Sequence, residues 1–142
     1  MLYTDRTVIV PEGITEIGNS AFIDGKMERI KLPSTLKSIG EMAFANCQYL
    51  TEIEIPDSVT NIGESAFSGC KRLKSVKLPS PLKKIEDYTF WNCRSLESIE
   101  IPDSVTEIGC NAFFFCLNLE RVKLSNSLQE LKSETFFRSP FK

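Results

Sequence analysis

The chain contains no histidine. That absence removes imidazole metal ligands, the Ser/His and Cys/His nucleophile pairs, and histidine-based acid–base chemistry. Long apolar runs are missing too. Nothing approaches the ~18 apolar residues of a membrane-spanning helix, so no membrane insertion is expected. Nor is there an excess of either charge, since 17 Lys and Arg stand against 19 Asp and Glu for a net −2. This leaves no basic footprint for nucleic acid and no polybasic patch for an anionic membrane. The opening Met1-Leu-Tyr-Thr-Asp-Arg6 lacks the charged and apolar regions of a secretory signal. That fits either an intracellular protein or a mature or excised chain. No Asn-x-Ser/Thr sequon marks a glycoprotein. A Gly-rich phosphate loop and a serine nucleophile elbow are likewise lacking.

What is present is ordinary in composition and strict in order. The 142 residues are 42% hydrophobic and 25% charged, which predicts one soluble domain over 1–142. Leu32, Ile55, Leu78, Ile101 and Leu124 recur every 23 positions, as do Pro33, Pro56, Pro79 and Pro102. Phe44, Phe67, Phe90, Phe113 and Phe136 keep the same step, and Phe22 joins them after a one-residue deletion. The expected units are about 8–30, 31–53, 54–76, 77–99, 100–122 and an incomplete 123–142. A longer period overlies the short one: Glu54-Ile-Pro-Asp-Ser-Val-Thr60 returns unchanged at 100–106. Units thus alternate between a Lys-Leu-Pro-Ser type and a Glu-Ile-Pro-Asp type.

A unit this short cannot bury its apolar face alone, so neighbours must stack over one continuous core. Leu50-x-x-Ile53-x-Ile55-Pro56 alternates apolar and polar residues. It predicts a half-buried strand that the proline ends. The Ala-Phe-x-x-Cys stretch is too short for a full helix and predicts a helical or 3₁₀ turn on the opposite side.

The pattern Leu-x-x-Ile-x-Ile-Pro-x-x-Val-x-x-Ile-Gly-x-x-Ala-Phe-x-x-Cys at 50–70 resembles the BspA-like leucine-rich repeat, and the resemblance covers about 8–137. It implies a right-handed leucine-rich-repeat solenoid of about six repeats with a parallel concave β-sheet. It also implies no catalysis, a protein-binding or adhesion role, and a cell-surface or secreted location, against the cytoplasmic alternative. Glu86 and Lys132 depart from the pattern at the turn glycine, Gly25 and Ser139 at the cysteine, and Ser125 at the proline.

Cys47, Cys70, Cys93 and Cys116 fall one per unit. A straight column cannot converge on a metal, and parallel side chains suit a disulfide poorly, so core thiols are expected. Cys110 shares a column with Asn19, Glu41, Glu64, Asp87 and Ser133 and is expected to be an exposed thiol. Nothing isolates two carboxylates for glycoside hydrolysis; catalytic, cofactor and metal residues are all expected to be none.

The outward positions of the strands carry the candidate binding face. One column reads Lys31, Glu54, Lys77, Glu100, Lys123, and the next Arg29, Glu52, Ser75, Ser98, Arg121. Alternation sets opposite charges side by side, which supports stacking and equally offers a pattern to a ligand. Ser75 and Ser98 leave room at the centre. The expected partner is a protein or a glycan. A second feature follows the repeat phenylalanine, where Trp91, Phe114 and Phe137 line up with Phe115 and Phe141 nearby. These rings either cover the unfinished last unit or form an association patch for a weak homodimer. End-to-end self-assembly through uncapped terminal units is the alternative role.

Overall fold

The computed structural model describes residues 6–140; Phe141 of the aromatic group lies outside them. Among the described residues twelve short strands wind into six coils. Each coil gives a three-residue strand to the concave face: β1 Thr7–Ile9, β3 Arg29–Lys31, β5 Glu52–Glu54, β7 Ser75–Lys77, β9 Ser98–Glu100 and β11 Arg121–Lys123. Each adds a two-residue strand on a flank: β2 Glu16–Ile17, β4 Ser38–Ile39, β6 Asn61–Ile62, β8 Lys84–Ile85, β10 Glu107–Ile108 and β12 Glu130–Leu131. All pairing is parallel. In β3, β5, β7 and β9 the central Ile or Val is buried and its neighbours are exposed, as the two-residue period of a strand requires.

On the side facing away from the concave sheet the expected helical or 3₁₀ turn is replaced by a string of β-turns; no helix occurs among the described residues. The cause is left-handed backbone at two positions per coil. Met42 (φ 55°) and Asn46 (φ 58°) are one such pair, and Tyr88 and Asn92 (both φ 60°) another. A residue with positive φ stops helical propagation. It sits at the third position of a turn closed by Ala43 N–H donating to Gly40 C=O and again by Cys47 N–H donating to Phe44 C=O, the type II arrangement. The freed amides reach the next coil instead, as when Phe44 N–H donates to Ala66 C=O at 2.8 Å.

One apolar core runs the length of the stack. Its spine is a ladder of six rings, Phe22, Phe44, Phe67, Phe90, Phe113 and Phe136, with centroids 5.3–5.6 Å apart and planes within 11°. The interior four are fully buried. Phe22 and Phe136 are only partly buried and pack against the core from its two ends.

The longer period has a physical counterpart. On the concave face the strands pair as β1–β3, β5–β7 and β9–β11, with seams at β3/β5 and β7/β9. Ion pairs Glu54–Lys77 (3.7 Å) and Glu100–Lys123 (3.5 Å) close within these two-coil blocks. So do three caps: Ser34 N–H donates to Glu12, Ser80 N–H to Asp57, and Asn126 N–H to Asp103, at 2.9–3.1 Å.

The flank breaks elsewhere, into β2–β4–β6 and β8–β10–β12. A Cβ at Gly63 would stand 2.5 Å from Glu41 N, and one at Gly40 2.6 Å from Asn19 N. The coils therefore close up on this side only over a bare α-carbon. Gly40, Gly63 and Gly109 N–H donate to the coil below at 2.7–2.8 Å. Glu86 brings a Cβ to the equivalent place, and there β6 and β8 stay apart. Lys132 is accommodated in the last coil with a longer bond to Ile108 C=O, 3.0 Å.

Candidate binding face

Every residue anticipated for the concave face is exposed on it: Arg29, Lys31, Glu52, Glu54, Ser75, Lys77, Ser98, Glu100, Arg121 and Lys123. The strands place them so because their alternate positions hold Ile30, Ile53, Val76, Ile99 and Val122 toward the core. Two open depressions divide the face. One, of about 770 Å³, is lined by Arg29, Lys31, Glu52, Glu54, Ser75 and Lys77, with Glu12 and Ser34 at its margin. The other, of about 570 Å³, holds Ser75, Lys77, Ser98 and Glu100 and is edged by Asp57, Asp103 and Ser104. Lys77 and Ser75 belong to both. Arg121 lines a separate hollow with Lys74, Glu97 and Glu120.

The charge alternation acts differently from a uniform stack. Lys77 bridges to Glu54 and Lys123 to Glu100, both inside a block. Among the described residues no ion pair crosses the seams from Lys31 to Glu54 or from Lys77 to Glu100. With side chains about 70% exposed, such pairs add little stability and remain able to exchange partners.

The rim carboxylates Glu12, Asp57 and Asp103 were not singled out from the sequence; the repeated Ile-Pro-Asp-Ser was the available sign. A further charge network, Lys84 with Glu107 (2.9 Å) and Glu86 (3.4 Å), lies on the flank. The Lys84 hydrogen bond holds the Glu107 carboxyl below its ordinary range, and Glu107 in turn raises the Lys84 ammonium.

The aromatic group is half covered and half open. Phe114 stacks on Phe137 at 5.1 Å and meets Phe115 edge-on at 4.6 Å. Trp91, Phe114 and Phe115 are partly buried, and Phe137 is 45% exposed under the Arg138 guanidinium. Cys110, anticipated on the surface, is partly buried, its N–H donating to Asp87 at 2.7 Å. The other four thiols are buried. Burial pushes Cys116 up to about 12 and Cys93 well above its ordinary value. No cluster of three metal-binding side chains occurs among the described residues, and no helix there is long and apolar enough to cross a membrane.

Solved structures similar to this chain are bacterial leucine-rich-repeat proteins. The T. pallidum leucine rich repeat protein is 32% identical with a TM-score of 0.82, over 90% of this chain and 69% of that one. The pneumococcal vaccine antigen PcpA is 31% identical with a TM-score of 0.78, over 89% of this chain and 32% of that one. A leucine rich cell surface protein of Faecalibacterium prausnitzii is 28% identical with a TM-score of 0.56, over 92% and 44%. The chain thus spans less than half the length of the last two. No curated protein matches it. Six copies of the BspA type leucine rich repeat region match residues 6–142, and the chain belongs to that family.

Proposed function

We propose that the chain is a non-enzymatic binding module that engages a protein across its concave face, in an adhesive role at the cell surface. The observation that carries this reading is the open, charge-patterned trough spanning β3 to β9. Its floor is small at Ser75 and Ser98, and its charges are held by exposed pairs that can be re-formed with a partner. Protein is favoured over glycan because no aromatic ring among the described residues lines either depression, and such a ring is the usual platform for a sugar face. The location rests on similarity to the F. prausnitzii cell surface protein.

The test is binding of a cell-surface protein partner captured on the immobilised chain and then purified. Glu54→Lys combined with Lys77→Glu keeps the ion pair and reverses what the partner meets. Ser75→Trp fills the floor. Each change should weaken binding by about 1–3 kcal/mol with the melting temperature nearly constant. Unchanged affinity for both variants would move the binding face elsewhere.

A further inference from the structure

The edge between the cysteine turn and the concave strand carries cations that no carboxylate answers. Two columns there read Gln48, Lys71, Arg94, Leu117 and Lys26, Tyr49, Arg72, Ser95, Asn118. Neither holds an acid over these coils. Lys26, Lys71, Arg72 and Arg94 are exposed, and among the described residues none of them enters an ion pair. On the concave face and the flank, by contrast, lysines stand against glutamates at 2.7–3.7 Å.

Two of the guanidinium groups are held in place. The Arg72 guanidinium lies 5.0 Å from the centre of the Tyr49 ring, in the preceding coil, and Arg6 lies over the same ring at 5.6 Å. Stacking uses the flat face of a guanidinium and leaves its rim of N–H donors for an oxyanion. Arg94 is fixed by donation of its Nε–H to Asn92 Oδ1 at 2.8 Å. Its terminal N–H groups have no partner among the described residues. The backbone is pinned here too. The Ser95 hydroxyl donates to Lys71 C=O at 2.7 Å, and the Asn118 amide to Arg94 C=O at 2.8 Å. Lys71 and Arg94 therefore stand one coil apart, about 4.8 Å by strand spacing. Like charges at that step repel, and an anion alongside relieves them.

The cations form a row along the solenoid axis, from Lys26 in the second coil to Arg94 in the fifth. A row suits a linear polyanion better than a single ion. In an extended acidic peptide the side chains on one side recur at about 6.6 Å, twice the strand rise, out of step with the coils. A single-stranded nucleic acid needs ring faces for its bases, and the Tyr49 ring already carries guanidinium groups. A pyranose residue is about as long as one coil step, so sulfate esters on successive sugars keep pace with the row.

We propose that this edge binds a sulfated polysaccharide, whose sulfate groups meet Arg72, Lys71 and Arg94 in turn. None of these residues lines either depression of the concave face, so the two surfaces are separate and take different ligands.

Calorimetric titration of the full chain with a size-fractionated heparin oligosaccharide at low salt tests this. Binding should be seen, and should weaken as salt rises. Arg72→Gln and Arg94→Gln, both at exposed positions and checked for folding by circular dichroism, should each weaken it about threefold or more. Tyr49→Leu keeps every charge and should also weaken it, because Arg72 loses the ring that orients it. The concave double variant Glu54→Lys with Lys77→Glu should bind heparin as wild type does. Desulfated heparin, polyglutamate and oligothymidylate should all bind far more weakly than heparin. A wild-type chain that does not bind heparin overturns the proposal. So does unchanged affinity in both arginine variants, loss of heparin binding in the concave variant, or any of the three comparison polymers binding as well as heparin.

Discussion

The thiol of Cys70 donates to the carbonyl oxygen of Phe44, 3.1 Å away in the preceding coil. That oxygen already accepts Cys47 N–H at 3.2 Å. Cys47, Cys93 and Cys116 make the same reach to Phe22, Phe67 and Phe90 at 3.2 Å. The cysteine column is therefore a set of small apolar groups that also satisfy the second lone pair of a buried carbonyl.

Thiol titration of the native protein should find Cys110 reacting first and the four column thiols slowly. Fast labelling of Cys93 would show that the core opens there. Removing reductant should leave the melting temperature unchanged.

The same burial makes the fold sensitive to alkali. A thiol whose pKa is raised on folding stays protonated in the native chain while the unfolded chain ionises near 9.0. The unfolded state then binds fewer protons, so stability falls as pH rises from that value toward about 12, where the Cys116 contribution is lost. Cys116→Ala should flatten the alkaline limb of a stability–pH curve measured by denaturant titration. An unchanged slope would mean that Cys116 ionises equally in both states.

Glu86 over Gly63 offers a direct test of why the flank ladder breaks. Glu86→Gly should let β6 and β8 pair, seen as slowed hydrogen exchange of the amide at 86, the equivalent of the Gly63 and Gly109 donors. The net stability change should be small, as one backbone bond of about 1 kcal/mol offsets the glycine entropy of similar size. Gly63→Ala should do the reverse and destabilise by about 1–3 kcal/mol. Equal exchange rates in wild type and Glu86→Gly would separate the seam from the Cβ.

Phe67→Ala removes a fully buried ring from the middle of the ladder. It should cost about 3–5 kcal/mol in equilibrium unfolding. A loss below about 1 kcal/mol would contradict the ladder.

Phe115 holds a bulky side chain at φ 61° in a place taken elsewhere by Asn46, Gly69 and Asn92. Left-handed backbone disfavours such a residue by about 1 kcal/mol, and its ring meets Phe114 edge-on. Phe115→Asn should be neutral or stabilising by up to about 1 kcal/mol. A loss larger than that would make the ring a cover for the last coils.

The inward strand residues, the ring ladder and the exposed charge columns were legible because burial imposes a strict period on Ile53, Phe67 and their equivalents. The form of the turn was not legible because its conformation is set by left-handed backbone at Met42, Ser65 and Tyr88, residue types that carry no such preference by themselves. The doubled period was visible in Glu54–Thr60 and 100–106, yet which coils it joins was not. That depends on where carboxylates such as Asp57 reach, one coil onward. The misfit at Glu86 was visible as a substitution, and only the close approach of Gly63 to Glu41 gives it meaning.

The seams on the concave face are not free cuts. Each is fastened at its base by one backbone bond, Thr51 N–H to Glu28 C=O at 3.1 Å and Glu97 N–H to Lys74 C=O at 3.3 Å. On the far flank the same boundaries are spanned by the β4–β6 and β8–β10 ladders. Ser75 and Ser98 stand on either bank of the second boundary, so the floor of the trough is the one stretch between them that no strand pairing closes.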